Sequence, residues 1–286
     1  MTQMSLNEMS RDQWLEWRRK GIGSSDAAVI MGESLWRTPY QLWEDKLFGT
    51  QQKDNWAMQG GRIFEEAARQ CYMRKTGLVV KPRNLEHEKY PWLKASLDGI
   101  TDDGKRCVEI KVSGREDHFN ASMQKISPKY VIQMQHQLQV VVTLEVNDYF
   151  SYDPYSDDGY IIPQERDASF ISNELFPKEK EFWDFVLQET PPPLTEKDYL
   201  DLSTNSEWLR LTSRLREIKP LIKEEEDIKE ALKMLSNGRN TKGNGIFYTK
   251  SLSKGVIDYK RAFEEHNIPL EDYRKDSYVK WTLRGI

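Results

Sequence analysis

Cysteine is nearly absent from this chain: Cys71 and Cys107 are the only two in 286 residues. That is too few for a disulfide framework or a four-cysteine metal site. Histidine is scarce as well, and His87, His118, His136 and His266 are scattered without zinc-ligand spacing. No run approaches the roughly 20 consecutive apolar residues that a membrane-spanning helix requires. The opening Met1-Thr2-Gln3-Met4-Ser5 lacks the basic-then-apolar layout of a secretory signal, so a cytoplasmic protein is expected. An excess of one charge is missing too, with 42 Lys+Arg against 46 Asp+Glu and a net charge of −4. The balance does not argue against a nucleic-acid partner, because carboxylates gathered at a cleavage site offset basic surfaces elsewhere. What remains, at 38% apolar and 31% charged residues, is a soluble chain with an ordinary core. Its length suits one large domain, or a domain of ~200 residues with an appendage.

The first half reads as helices followed by strands. Arg11–Lys20 is a short amphipathic helix with Trp14 and Trp17 among charges and a basic last turn, Arg18-Arg19-Lys20. Gly21-Ile22-Gly23-Ser24-Ser25-Asp26 is a loop of small residues opening a helix over Ala27–Met31, with Ser24 or Ser25 as its N-cap. Pro39 starts a helix that Gly49 stops, and Gly77 stops another over Trp56–Thr76. Leu78–Lys81, Leu93–Thr101 and Arg106–Ser113 are expected strands, the last two joined by the tight turn Asp102-Asp103-Gly104-Lys105. A helix over Pro128–Val142, strands at Asp148–Asp153 and Gly159–Pro163, and a helix over Ala168–Gln188 lead to Pro191-Pro192-Pro193, the clearest boundary in the chain. The division expected is residues 1–195 as the core and 196–286 as an extension. The extension opens with a charged helix over Asn205–Ser236, striped by Trp208, Leu211, Leu215, Ile218 and Ile222 and kinked at Pro220. Short strands and a helix near Tyr259–His266 follow, in a tail whose basic residues include Lys250, Lys254, Arg274 and Lys275.

The chemistry concentrates in Ser96-Leu97-Asp98-Gly99 and Cys107-Val108-Glu109-Ile110-Lys111-Val112. Side chains alternate along a strand, so Val108, Ile110 and Val112 face the core while Glu109 and Lys111 lie together on the other face. The tight turn folds the preceding strand back and brings Asp98 beside them. Two carboxylates and an ammonium on one sheet face suit a hard divalent cation and an attacking water. The alternative is an exposed strand face carrying a solvated ion pair. Glu44-Asp45-Lys46 and Glu217-Ile218-Lys219 repeat the Glu-x-Lys spacing, but in helical patterns, where residues i and i+2 do not share a face.

The same segment, Asp98-x10-Glu109-x-Lys111, matches the PD-(D/E)XK nuclease signature, with Leu97 where the signature has proline. Trp14-x3-Arg18 leading into Gly21–Asp26, Gly60-Gly61-Arg62-x2-Glu65 and Tyr130-x2-Gln133-Met134-Gln135 complete four motifs in order over roughly residues 14–163. Together they resemble the YqaJ-type viral recombinases, relatives of phage lambda exonuclease. The resemblance implies an α/β fold of PD-(D/E)XK type, a central mixed sheet flanked by helices. It also implies a Mg²⁺-dependent exonuclease running 5′ to 3′ on double-stranded DNA, of phage or prophage origin.

Carried over to this sequence, the resemblance makes Asp98, Glu109 and the Ile110 carbonyl metal ligands, with Glu65 completing a second metal site. Lys111 sits at the attacking water, and Gln133, rather than Gln135, positions the water or the phosphate. Arg18 and Ser25 hold the DNA 5′-phosphate. Two Mg²⁺ ions are implied, with Mn²⁺ as the alternative. Implied partners are double-stranded DNA ends, a single-strand annealing protein and further copies of the chain in a ring-shaped homotrimer. For Glu65 and Gln133, residues of a solvated helix face and a Gln-rich helix are the plain alternatives. Trp36 and Trp43 either stack on DNA or pack in the core, with the core favoured. An endonuclease of the same fold, or a non-catalytic DNA- or partner-binding module, stays open as an alternative function.

Overall fold

Local sequence signals set the first helices. Ser10 caps α1 (Arg11–Arg19): its hydroxyl accepts the Gln13 amide N–H while the Gln13 side chain accepts the Ser10 N–H at 2.8 Å. Thr38 and Gln41 repeat the device on α3 (Pro39–Phe48), which ends at Gly49 with φ of 65°. Between them lie a two-residue strand, β1 (Ile22–Gly23), and α2 (Ser24–Ile30). The computed structural model describes residues 9–49, 56–112, 114–266, 275 and 278.

α4 (Trp56–Thr76) leads into the sheet strands β2 (Val80–Glu86), β3 (Leu93–Thr101) and β4 (Arg106–Val112). After α5 (Arg115–Ser122) and α6 (Pro128–Val140) come β5 (Val146–Asp153) and β6 (Asp158–Glu165). The sheet is mixed: β1 runs parallel to β3, and β4 parallel to β5, while the β2–β3, β3–β4 and β5–β6 pairs are antiparallel. One face packs Val108, Ile110, Phe150 and Tyr152 against Ala68, Cys71 and Tyr72 of α4. The other packs Leu93, Ala95, Leu97 and Cys107 against Leu138 and Val140 of α6. The strand alternation expected for β4 therefore holds, with a helix on each side. A run from α7 (Ala168–Phe170) through a π-helical turn to α8 (Phe176–Leu187) covers α2 and α3, burying Phe182 and Val186 against Ile22, Val29, Leu42 and Trp43.

Three expectations need correction. The strand placed at Leu78–Lys81 starts at Val80 and runs to Glu86, with a register shift between Lys81 and Arg83. Pro82 has no N–H to give the ladder, so the strand bulges there rather than ending. The second helix starts at Ser24, not Ala27, and its N-cap is Gly23 rather than a serine; Asp26 accepts the Gly23 N–H at 2.9 Å. α5 was not expected, since Arg115–Ser122 carries no apolar period to announce it. Ser113, the expected last residue of β4, lies outside the described residues.

The chain divides into two units, Met1–Leu200 and Asp201–Ile286. In the second, Asn205 caps α9 (Ser206–Ser236), which continues through Pro220 to a left-handed Asn237. The hairpin β7 (Thr241–Gly243) and β8 (Ile246–Tyr248) and then α10 (Tyr259–Glu265) follow among its described residues. Arg274 lies outside the described residues.

Candidate active site

β3 and β4 are paired through the main chain at Gly99–Val108 and Ile100–Cys107, next to the turn, where Gly104 takes φ of 69°. One step further along, the partner of the Ile110 N–H is a side chain: Asp98 Oδ2 accepts it at 2.7 Å. The hairpin thus opens into a fork, and Asp98 closes it with a carboxylate where a carbonyl would ordinarily sit. Glu109, 2% exposed, projects into the fork from β4. Lys111 Nζ lies 2.5 Å from Glu109 Oε1, so the three residues singled out in the sequence do come together.

α6 lies over this group and supplies its remaining partners. Gln133 Nε2 donates to Glu109 Oε1 at 2.6 Å, and Gln133 Oε1 accepts from Lys111 Nζ at 3.4 Å. Gln137 Nε2 donates to the other oxygen, Oε2, at 2.5 Å, and its own Oε1 accepts the Asn147 side-chain amide at 2.6 Å. Tyr130 places its ring 5.0 Å from Lys111 Nζ, within cation–π range. Residues 130, 133 and 137 follow one helix face, which is why one helix delivers all three. Gln135 points elsewhere and ties α6 to Glu165 and Asp167. The sequence reading passed over Gln137, although its spacing of four from Gln133 is the signal that would have found it.

Charge in the fork is unbalanced. Burial raises the Asp98 carboxyl well above the usual range, Glu109 and Glu65 raise it further, and Lys111 only partly opposes them. Burial works against the Lys111 ammonium, but Glu109 and Asp98 outweigh it and hold that group above the ordinary lysine range. Glu65, on α4, is bound by Arg69 at 2.7 Å, and Arg69 also grips Glu66 and donates to the Asp98 carbonyl at 2.6 Å. Among the described residues, no group of three or more His, Cys, Asp or Glu side chains is gathered in ligating geometry. The donors that are present, the two adjacent carboxylates of Asp98 and Glu109, are hard oxygens, and their negative charge fits a hard divalent cation.

A second cluster forms where α1 meets α2. Arg18 Nη2 donates to the Ser25 hydroxyl at 2.8 Å and lies 3.4 Å from Asp26, and its guanidinium stacks 4.9 Å from the Trp14 ring centre. Gly23 is needed for this approach, because a Cβ there would stand 2.9 Å from the guanidinium. Buried Lys46 binds Asp26 at 2.6 Å and donates to the Arg18 carbonyl at 3.1 Å. Burial alone would raise the Asp26 carboxyl; Lys46 and Arg18 more than offset it and hold Asp26 ionised far below its ordinary range. Two cations around one anion leave a net positive charge beside the exposed Ser25.

The other candidates separate cleanly. Trp43 is core and donates to the Phe185 carbonyl at 3.1 Å, whereas Trp36, expected in the core with it, is 87% exposed. Cys71 and Cys107 are buried free thiols. His118 bonds Ser151 at 2.9 Å, and His136 is buried against Glu179.

Residues 13–143 match the family described as the YqaJ-like viral recombinase domain. The uncharacterised protein YqaJ of Bacillus subtilis is 27% identical over 302 residues, covering 96% of this chain and 94% of that protein. The crystal structure of the alkaline exonuclease LHK-Exo from Laribacter hongkongensis superposes with a TM-score of 0.55 at 28% identity, over 63% of this chain and 94% of that one. LHK-Exo in complex with dAMP superposes equally well. The mixed sheet flanked by helices is the PD-(D/E)XK fold of lambda-exonuclease type.

Proposed function

We propose, from the match of residues 13–143 to the YqaJ-like viral recombinase domain, that the chain is a metal-dependent deoxyribonuclease. It degrades double-stranded DNA from its ends, 5′ to 3′, and leaves a 3′ single strand for a single-strand annealing partner in phage-type recombination. The observation that carries this reading is the fork of β3 and β4, where Asp98, Glu109 and Lys111 meet beneath Gln133. The likeness to an alkaline exonuclease over nearly its whole length supports it.

Asp98, Glu109 and the Ile110 carbonyl would hold Mg²⁺ or Mn²⁺, and Glu65 would complete a second site on leaving Arg69. A bound divalent ion supplies Lewis-acid polarisation of the scissile phosphate and charge stabilisation at the leaving oxygen. Lys111 is the fixed cation that orients the attacking water. Gln133 holds Lys111 and Glu109 in one plane of action and offers its amide to water or phosphate. Arg18 and Ser25 receive the 5′-phosphate, with Arg18 giving charge-assisted hydrogen bonds and Asp26 and Lys46 fixing its position. The family resemblance implies that copies of the chain encircle the duplex as a homotrimer.

The test is digestion of linear duplex DNA, with and without a 5′-phosphate, in Mg²⁺, beside covalently closed circular duplex. Metal-dependent loss of linear DNA from its 5′ ends, faster with the phosphate, is expected, and the circle should survive. Lys111→Ala should slow the loss by about 100-fold or more, the scale of removing one group that stabilises developing charge. Cutting of the circle would replace the exonuclease with an endonuclease. DNA binding without any product would leave a binding module.

A further inference from the structure

Along α9, Trp208, Leu211, Leu215, Ile218 and Ile222 recur at alternating intervals of three and four residues. This is the a/d spacing of a helix that packs against another helix. Trp208, Leu211 and Ile222 are 45%, 51% and 52% exposed. Further along the same helix, Leu221, Ile228 and Leu232 line a groove with Ile246 and Tyr248 of the hairpin. In the stripe Trp208, Leu211 and Ile222 are exposed and Leu215 and Ile218 half-buried, and none of the five lines the groove against the hairpin.

We propose that this stripe pairs with the same stripe of a second copy of the chain, in antiparallel orientation. The inference rests on α9 alone and does not depend on the nuclease reading. Charge selects both the occupant and its direction. Residues 207–216 carry three arginines and one glutamate, and residues 217–226 carry four glutamates and two lysines. Antiparallel pairing centred between Leu215 and Ile218 lays the basic half of each helix on the acidic half of the other. In that register Leu211 faces Ile222 of the second copy, and Leu215 faces its Ile218, so the central layers are wholly apolar. Parallel pairing would instead set Arg214, at a g position, against Lys219 at an e position of the other helix, a repulsive contact. Pro220 falls at position f, on the far side, so the ring and the lost N–H stay out of the seam.

Two full-length variants test this, Leu211→Cys and Ile222→Cys, one carrying a larger tag; the native Cys71 and Cys107 are buried and do not compete. Each is oxidised alone and in an equal mixture, and products are resolved on a non-reducing gel. Antiparallel pairing gives a mixed disulfide in the mixture and little product in either variant alone. Product in each variant alone would show parallel pairing and overturn the proposal. Light scattering provides the second readout: Leu215→Glu/Ile218→Glu keeps good helix formers on α9 but should weaken self-association at least tenfold. An unchanged mass in that variant, with no disulfide in any sample, would overturn self-pairing and assign the stripe to another protein or to residues 267–286 of the chain itself.

Discussion

Gln137 bonds both ways within the fork: it donates to Glu109 Oε2, and its carbonyl accepts Asn147. Gln137→Ala would strip a buried carboxylate of a donor and a buried amide of its acceptor at once. A loss of about 2–3 kcal/mol is expected, visible as a lower thermal midpoint, together with a fall in nuclease activity. At the other cluster, Arg18→Ala should lower the rate on 5′-phosphorylated ends roughly tenfold, the worth of a charged hydrogen bond. Rates on 5′-hydroxyl ends should change little, so the ratio of the two is the measurement. Asp98, Glu109 and Lys111 were legible in the sequence because a strand has a period of two and a four-residue turn fixes which residues return beside each other. Gln137 was not, because α6 carries glutamines at 133, 135, 137 and 139, and only the helix's rotation on the sheet separates the two facing Glu109 from Gln135, which meets Glu165 and Asp167, and Gln139, which meets Glu179 of α8. Trp36 escaped for a similar reason: spacing cannot tell an exposed loop aromatic from the buried Trp43.

At the scale of elements, α6, α8 and β3 are joined by one buried polar link. His136 Nδ1 meets Glu179 at 2.5 Å, His136 Nε2 meets the Lys94 carbonyl at 3.0 Å, and Gln139 donates to the other Glu179 oxygen at 2.7 Å. Burial works against a charged imidazole, but Glu179 and the Lys94 carbonyl outweigh it, and His136 is held above its ordinary range. A group raised in this way contributes stability that is complete below its unfolded value of about 6.5. That contribution is lost as pH rises through the folded value. The thermal midpoint should therefore decline as pH rises above about 6.5, and the decline should shrink in His136→Gln, as calorimetry can show. Most elements were readable where a cap or stop coincides with a period, as at Pro39 and Gly49 or Gly77. β2 was displaced because Val79 and Val80 outshine a polar, edge-like stretch, Lys81–Glu86, which pairs through its backbone. α5 was silent because an eight-residue helix with mixed polarity has no periodic face.

For the whole molecule, the division at Leu200 predicts a protease-resistant fragment. Tyr199 and Leu200 are 61% and 83% exposed, so limited chymotrypsin digestion should release a product of about 200 residues, identified by mass spectrometry. Its appearance at the same rate as general degradation would argue against two separately stable units. Pro191-Pro192-Pro193 suggested a boundary at residue 195, five residues before the division at Leu200, but nothing in the sequence announced what α9 does, because a helix patterned to meet another helix looks the same whatever copy supplies the partner. The fork bears on folding as well. Among the described residues, Asp98, Glu109, Lys111, Tyr130, Gln133 and Gln137 lie within one stretch of hairpin and helix, with Asn147 of β5 just beyond it and Glu65 and Arg69 reaching in from upstream. Contacts so near in sequence close at little cost in loop entropy. The reactive centre would then take shape early, as the stretch around which the distant β1, α2 and α8 are gathered.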